Sequence, residues 1–294
     1  MRKRLLLAIA SVTVLGACGG GSSGSGEDYG RITLGVTDAP VDRAAHVVVE
    51  FTGVELKAVG EPGPEVFDFA TPRRIDLLAL EGGGTEILLR DELVPAGAYE
   101  WIRLKVNAGR TASDSYVELE DGSRHALFIP SGNESGLKLI RGFTVGAGST
   151  TDFTIDFDLR RSVIMPPGQG GDFLLKPVLR LVDNLQVGTL QGAVAPALIT
   201  TDCEPAVYVF NGSDITPDDI GGTTEPFVTA RVIQNSTSGA YEYRIGFMPV
   251  GSYTVSFTCE ADLDTPDANE TISFVKSANA AVAVGQTVSV NFEP

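Results

Sequence analysis

From Arg31 onward the apolar residues of the chain recur with a period of two. Ile32-Thr-Leu34-Gly-Val36, Val47-Val-Val49-Glu-Phe51 and Ile102-Arg-Leu104-Lys-Val106 alternate apolar with polar or small positions, and Thr151-Asp-Phe153-Thr-Ile155-Asp-Phe157-Asp-Leu159 does so most regularly. Successive side chains of an extended chain point to opposite faces, so each segment predicts a strand with one face on a core. Phe173 to Leu181 is a further apolar run. Turn formers separate these segments: Asp38-Ala-Pro40, Glu61-Pro-Gly-Pro64, Gly82-Gly-Gly84, Asp121-Gly122 and Pro166-Pro-Gly168. Only Arg74 to Leu80 and the stretch near Val41 to Ala45 leave room for a short helix. A second series of strands is predicted at 189–194, 206–210, 227–233, 240–245, 251–258, 270–275 and 287–292, enough for one small sandwich. The pattern predicts an all-β protein with two β-sandwich domains in tandem, at 31–185 and 186–294, joined near Asp183-Asn184 with almost no linker.

The first thirty residues follow a different pattern. Arg2, Lys3 and Arg4 precede an apolar run from Leu5 to Leu15, which is too short to span a bilayer and has the length of a signal-peptide core. Leu15-Gly16-Ala17-Cys18 resembles a bacterial lipobox. That resemblance implies removal of residues 1–17, transfer of diacylglycerol to the Cys18 sulfur and acylation, with palmitate for example, of the new amino group. Each buried methylene contributes about 0.8 kcal/mol, so two or three chains give a stable membrane anchor. Residues 18–30 form a Gly/Ser-rich tether. Gly rather than Asp at position 19 favours the outer membrane in the Gram-negative sorting rule, with the membrane face left open.

Charge narrows the partners. The chain has 22 Lys and Arg against 38 Asp and Glu, a formal net charge of −16, and its only basic cluster lies in the first four residues. Neutralising a phosphate backbone needs such clusters, so nucleic acid is excluded as a partner. Two His and three Cys supply neither a zinc set nor a catalytic thiol arrangement. Thirty-four glycines and no heptad stretch exclude a coiled coil.

One local motif occurs in both predicted domains: Leu93-Val-Pro95-Ala-Gly97-Ala-Tyr99 and Phe247-Met-Pro249-Val-Gly251-Ser-Tyr253. In each, Pro presets the turn and a Tyr opens the next strand. With Gly192-Ala-Val194, Ala206-Val-Tyr-Val-Phe210 and Ala240-Tyr-Glu-Tyr243, residues 188–294 resemble the carboxypeptidase regulatory-like (transthyretin-like, carbohydrate-binding-like) β-sandwich, although Ser238-Gly239 stands in place of the usual Asp-Gly. The first domain resembles the bacterial lipoprotein domain DUF4382. The matching residues are Gly35-Val-Thr-Asp38-Ala-Pro40-Val-Asp42, Pro95-Ala-Gly97-Ala-Tyr99-Glu-Trp-Ile-Arg103, Ser135-Gly-Leu-Lys138, Phe157-Asp158-Leu-Arg160-Arg161-Ser162 and Leu175-Lys176-Pro177-Val-Leu-Arg180. No activity comes with that resemblance.

Candidate chemistry is sparse. Cys203 and Cys259 are the two thiols left after lipidation of Cys18, and in an oxidising compartment a disulfide between them is expected. Asp38, Asp42, Asp152, Asp156 and Asp158 could offer oxygen ligands to Ca²⁺, without EF-hand spacing; the plainer account is a solvated acidic face. No other cofactor is expected. Trp101 and Arg103 share a strand parity and could stack on a sugar, whereas Tyr99, of the same parity, belongs inside such a corner, so a bulge or two-sided burial competes with that reading. His46 and His125 are isolated, and Ser135 and Ser162 lack a nucleophile-elbow context. The expected protein is not an enzyme. It is an outer-membrane lipoprotein acting as a binding module for glycans or in adhesion, with a scaffold for an envelope protein as the alternative and a hydrolase as a remote one. Cys18→Ser is expected to release the protein from the membrane fraction, measured by sedimentation and immunoblotting; normal processing and sedimentation of that variant would refute the lipid anchor.

Overall fold

The two most regularly alternating segments of the first domain become neighbours. Strand Tyr29–Ala39 runs parallel to Thr150–Asp158, with Leu34 beside Phe153 and Val36 beside Ile155 on the buried face. The computed structural model describes residues 29–39, 44–130, 136–165, 171–266 and 268–294; the leader, Cys18, most of the tether, Asp42 and Ser135 lie outside them. Glu86–Pro95 and Leu179–Asp183 complete this four-stranded sheet at its two edges.

A nine-stranded sheet faces it, organised around Ala44–Ala58, which bonds to Glu65–Asp76, Gly97–Asn107 and Tyr116–Leu119. Along Ala44–Ala58 the fully buried residues are Val47, Val49 and Phe51, then Val54 and Leu56. The change from odd to even positions comes from a register shift between Phe51 and Gly53, where an extra residue flips the parity. Together with Ile102, Leu104 and Val106 these residues meet the smaller sheet in one continuous core, and Phe51 lies edge-on to Phe157 with ring centroids 6.3 Å apart.

The second sandwich begins at Val187. One sheet orders Ile233–Gln234, Tyr241–Pro249, Val187–Val194 and Thr287–Ser289; the other orders Val228–Arg231, Ala206–Asn211, Gly251–Thr258 and Phe274–Val282. Leu190, Val194, Tyr243 and Ile245 from the first pack on Val207, Val209, Val255 and Phe257 from the second. The fold is all-β, as the periodicity predicts. Among the described residues no helix is long and apolar enough to cross a membrane.

The repeated Pro-x-Gly-x-Tyr motif is the same device in both domains. Tyr99 is buried, stacks on Phe143 at 4.8 Å and donates its hydroxyl to the Pro95 carbonyl at 2.7 Å; Tyr253 is buried and donates to the Pro249 carbonyl at 2.8 Å. Each tyrosine pins the end of one strand to the start of the next. Burial pushes the Tyr99 phenol up to about 12. Cys203 and Cys259, 56 residues apart, are joined in a disulfide, a cross-link worth roughly 4 kcal/mol on loop-closure grounds.

Three local expectations differ from the structure. Arg74 to Asp76 extends a strand, and the only helix there is one turn of 3₁₀ at Leu77–Leu80; of the Val41 to Ala45 stretch, Ala44 and Ala45 are strand and the rest lies outside the described residues. A single helical turn at Leu159–Ser162, capped by the Asp158 carboxylate on the Arg161 amide, interrupts what reads as a simple strand end. The strand expected at 270–275 starts instead at Phe274, because the amides of Glu270 and Ser273 bond to the carboxylates of Asp219 and Glu260 and are withdrawn from the ladder. Tyr253→Ala is expected to cost roughly 3–5 kcal/mol in chemical denaturation, and Tyr253→Phe, which only orphans a carbonyl, about 1–2 kcal/mol; equal midpoints for all three proteins would refute the corner's role.

Candidate functional site

Phe157-Asp158-Leu-Arg160-Arg161-Ser162 and the segment ending in Arg180 sit where the first sandwich meets the second. The turn Leu159–Ser162 aims Arg160 into the second sandwich, where 6% of the residue is exposed. Nη1 donates to the Tyr208 hydroxyl at 2.8 Å and lies 3.7 Å from Asp264 Oδ2, while Nη2 donates to the Ala261 carbonyl at 2.8 Å and the Asp264 carbonyl at 3.3 Å. Tyr208 passes the contact on, donating to Asp264 Oδ2 at 2.5 Å, and burial holds its phenol far above the usual range. Arg161 reaches Glu225 at 3.0 Å, and Arg180, bonded to Asp156, lies over the Phe227 ring at 4.1 Å.

This contact corrects the reading of a solvated face at Asp156, while Asp152 and Asp158 stay partly exposed. Thr37, Thr154 and Asp156 are buried, and Thr37 and Asp156 border a small cavity of about 20 Å³ together with Val228, Thr229 and Ala230 of the second sandwich. The outward parity of Thr150–Asp158 is polar because it forms part of a domain interface. The candidate Ca²⁺ ligands on it are engaged by protein groups: Asp152 accepts from Asn184 at 2.9 Å, Asp156 binds Arg180, and Asp158 caps the turn, its carboxyl raised by burial against the pull of Arg161. Asp152 and Asp158 stand six positions apart on one strand, about 20 Å at the usual rise. Asp38 is buried at the end of Tyr29–Ala39.

Trp101 and Arg103 are brought together on the other face of the molecule's largest sheet. A register shift places Lys57 opposite Trp101 and Ala58 opposite Tyr99, so the bulge lets Tyr99 turn inward while Trp101 stays half-buried outside. The Trp101 ring is flanked by Lys138 Nζ at 4.2 Å and the Arg103 guanidinium at 4.9 Å, and Arg103 donates to Glu55 at 2.8 Å. These cations occupy the surface a sugar ring would stack on.

The larger opening lies at the domain junction, a groove of about 560 Å³. Its floor is the outer face of the sheet containing Val187–Val194 and Tyr241–Pro249, and the turn Glu81-Gly82 of the first domain borders it. Alternation puts Leu190, Tyr243, Ile245 and Val290 inside and leaves Gln191, Glu242, Arg244 and Asn291 on the groove. Arg244 Nη1 donates to Gln191 Oε1 at 2.8 Å, Asn235 Nδ2 to Glu242 Oε2 at 3.1 Å, and Asn291 Oδ1 accepts the Ala193 amide at 2.9 Å. Next to the groove, at the small cavity, two backbones touch: a Cβ on Gly246 would lie 2.6 Å from the Cα of Gly83, which has φ +101°. Sequence reading placed Gly82-Gly-Gly84 as an ordinary turn and did not single out the groove residues. The available signal was the row of exposed polar positions between buried apolar ones.

Residues 29–177 match the family described as Domain of unknown function (DUF4382). No curated protein matches the chain. Among solved structures, a leucine-rich repeat protein from Bacteroides thetaiotaomicron is 10% identical (90% of this chain and 26% of that one covered, TM-score 0.21) and the Bacillus anthracis TIE protein 11% identical (90% and 34%, TM-score 0.21). The minor pilin GBS52 of Streptococcus agalactiae is 11% identical over 88% of this chain and 94% of its own, with a TM-score of 0.20. The chain thus spans about a quarter to a third of the first two. Breaking the buried contact should be costly and breaking the exposed one should not: Arg160→Ala is expected to destabilise by about 3–5 kcal/mol, and Arg161→Ala by less than about 1 kcal/mol, in urea denaturation.

Proposed function

The chain belongs to the DUF4382 family, and from that premise we propose that it is a non-catalytic binding protein of the cell envelope, whose junction groove takes a hydroxyl-rich ligand, a glycan segment. The observation that carries this reading is the groove's lining. Gln191, Asn235, Glu242, Arg244 and Asn291 present planar amide, carboxylate and guanidinium groups, already oriented by the Arg244–Gln191 and Asn235–Glu242 bonds. Each sugar hydroxyl both donates and accepts, and such planar groups pair with adjacent hydroxyls two at a time. Two acidic residues, Glu81 and Glu242, balance two basic ones, Arg231 and Arg244, which suits a neutral glycan better than a polyanion. Recognition here rests on hydrogen bonds, since the Tyr243 ring is buried and its hydroxyl donates to the Val290 carbonyl at 2.7 Å.

We read the second sandwich as a carboxypeptidase regulatory-like domain, on the strength of its corner at Pro249 and Tyr253 and of Gly192, where a Cβ would lie 1.8 Å from the Val290 oxygen. The lipobox at Leu15 to Cys18 and the glycine-rich tether support anchorage by lipid at the outer membrane, with the groove carried outside the bilayer. The folded chain is expected to bind members of a glycan panel. Arg244→Ala and Gln191→Ala should each weaken that binding about tenfold or more, as loss of a hydrogen bond to a charged group implies. A panel with no binder, or affinities unchanged by both substitutions, refutes the reading.

A further inference from the structure

A second polar centre lies in the second sandwich, on the far side of the Arg160 contact from the first domain. Asp219, Asp264 and Glu270 each bring one carboxylate oxygen to within 4.8 Å of the other two. Asp219 is 0% and Asp264 4% exposed, and Glu270 is partly exposed at the rim. Asp264 already serves the fold, accepting from the Tyr208 hydroxyl and from the Ile220 amide at 3.1 Å. Asp219 is different. Its Oδ2 accepts the Glu270 amide at 2.6 Å, but its Oδ1 is buried with no hydrogen-bond partner among the described residues. A carboxylate oxygen removed from water without a donor costs several kcal/mol, and three carboxylates against the single guanidinium of Arg160 leave negative charge in excess.

A cation resolves both deficits. All the converging ligands are carboxylate oxygens, which select hard ions, and they come from two loops, Asp219 from one and Asp264 and Glu270 from the other, with no octahedral frame to impose, which favours Ca²⁺ over Mg²⁺. We propose that Asp219, Asp264 and Glu270 bind a Ca²⁺ ion, with Asp219, whose carboxylate keeps one oxygen unpartnered among the described residues, as the ligand with charge to spare. Glu270 at the rim gives the ion its entry from solvent. Because Asp264 is shared between this site and Arg160, the ion fastens the loops on which the first domain docks. The proposal stands apart from the glycan reading of the groove.

The test uses the mature chain stripped of divalent ions, titrated with CaCl₂ by calorimetry and melted with and without Ca²⁺, with MgCl₂ as the control. One saturable Ca²⁺ site and a melting temperature that rises with Ca²⁺ are expected, with a smaller response to Mg²⁺. Asp219→Asn should keep the ion-free melting temperature at or above that of the parent, because it removes an unpaired buried charge, and should abolish the Ca²⁺ response. Glu270→Gln, at the rim, should weaken Ca²⁺ binding about tenfold without disturbing the fold. Absence of saturable Ca²⁺ binding by the folded parent overturns the proposal. So does a Ca²⁺ response that persists unchanged in either variant.

Discussion

The guanidinium of Arg160 is removed from water, and the arrangement of the two domains follows from how its charge is satisfied. A buried cation is tolerable only where acceptors surround it, and the Tyr208 hydroxyl, the Ala261 and Asp264 carbonyls and the Asp264 carboxylate belong to the other sandwich. The side chain that starts from a single helical turn in the first domain thus finds these acceptors by docking. Domains joined by a short connection generally move against each other unless something specific prevents it. Here the linker is the three-residue turn Asn184–Gln186, and Arg160, Arg161 and Arg180 hold both sides of it.

With the domains held, the groove acquires a fixed wall. The turn containing Gly82 and Gly83 rests directly against Gly246 and the stem of Arg244, so one border of the groove belongs to the first domain and its floor to the second. Binding surfaces built this way depend on the relative placement of two rigid cores, and both cores are closed by the same tyrosine corner. Each sandwich is thus closed around its own core, and a large recess opens between them.

The strands, their inward faces, the corners and the Cys203–Cys259 pairing are legible in the sequence, because each depends on local period, turn chemistry or a count of thiols. What is not legible depends on contacts between distant segments. Asp156 and Thr154 have the alternation of a solvent face, and nothing local says that a second domain will cover them. Arg160 and Arg161 are visible as motif residues, but their role needs Tyr208, Glu225 and Asp264 beside them. Trp101 shows the intermediate case: the conflict in parity with Tyr99 points to a bulge, and the structure has one, and Arg103 is visible beside it, yet Lys138, the second cation over the ring, comes from a distant segment. Asp219, Asp264 and Glu270 follow no spacing rule at all.

The disulfide has a consequence for when the molecule becomes complete. Cys259 stands two residues before Ala261, whose carbonyl receives Arg160, and the neighbouring bridge between Glu204 and Glu260 continues the same staple. The loop that accepts the first domain is therefore tied down by an oxidation event. With both cysteines reduced the chain would carry an unstapled acceptor loop and a looser second sandwich. Formation of one S–S bond fixes the receptor for Arg160, so completion of the contact between the sandwiches is coupled to the redox state of the surroundings.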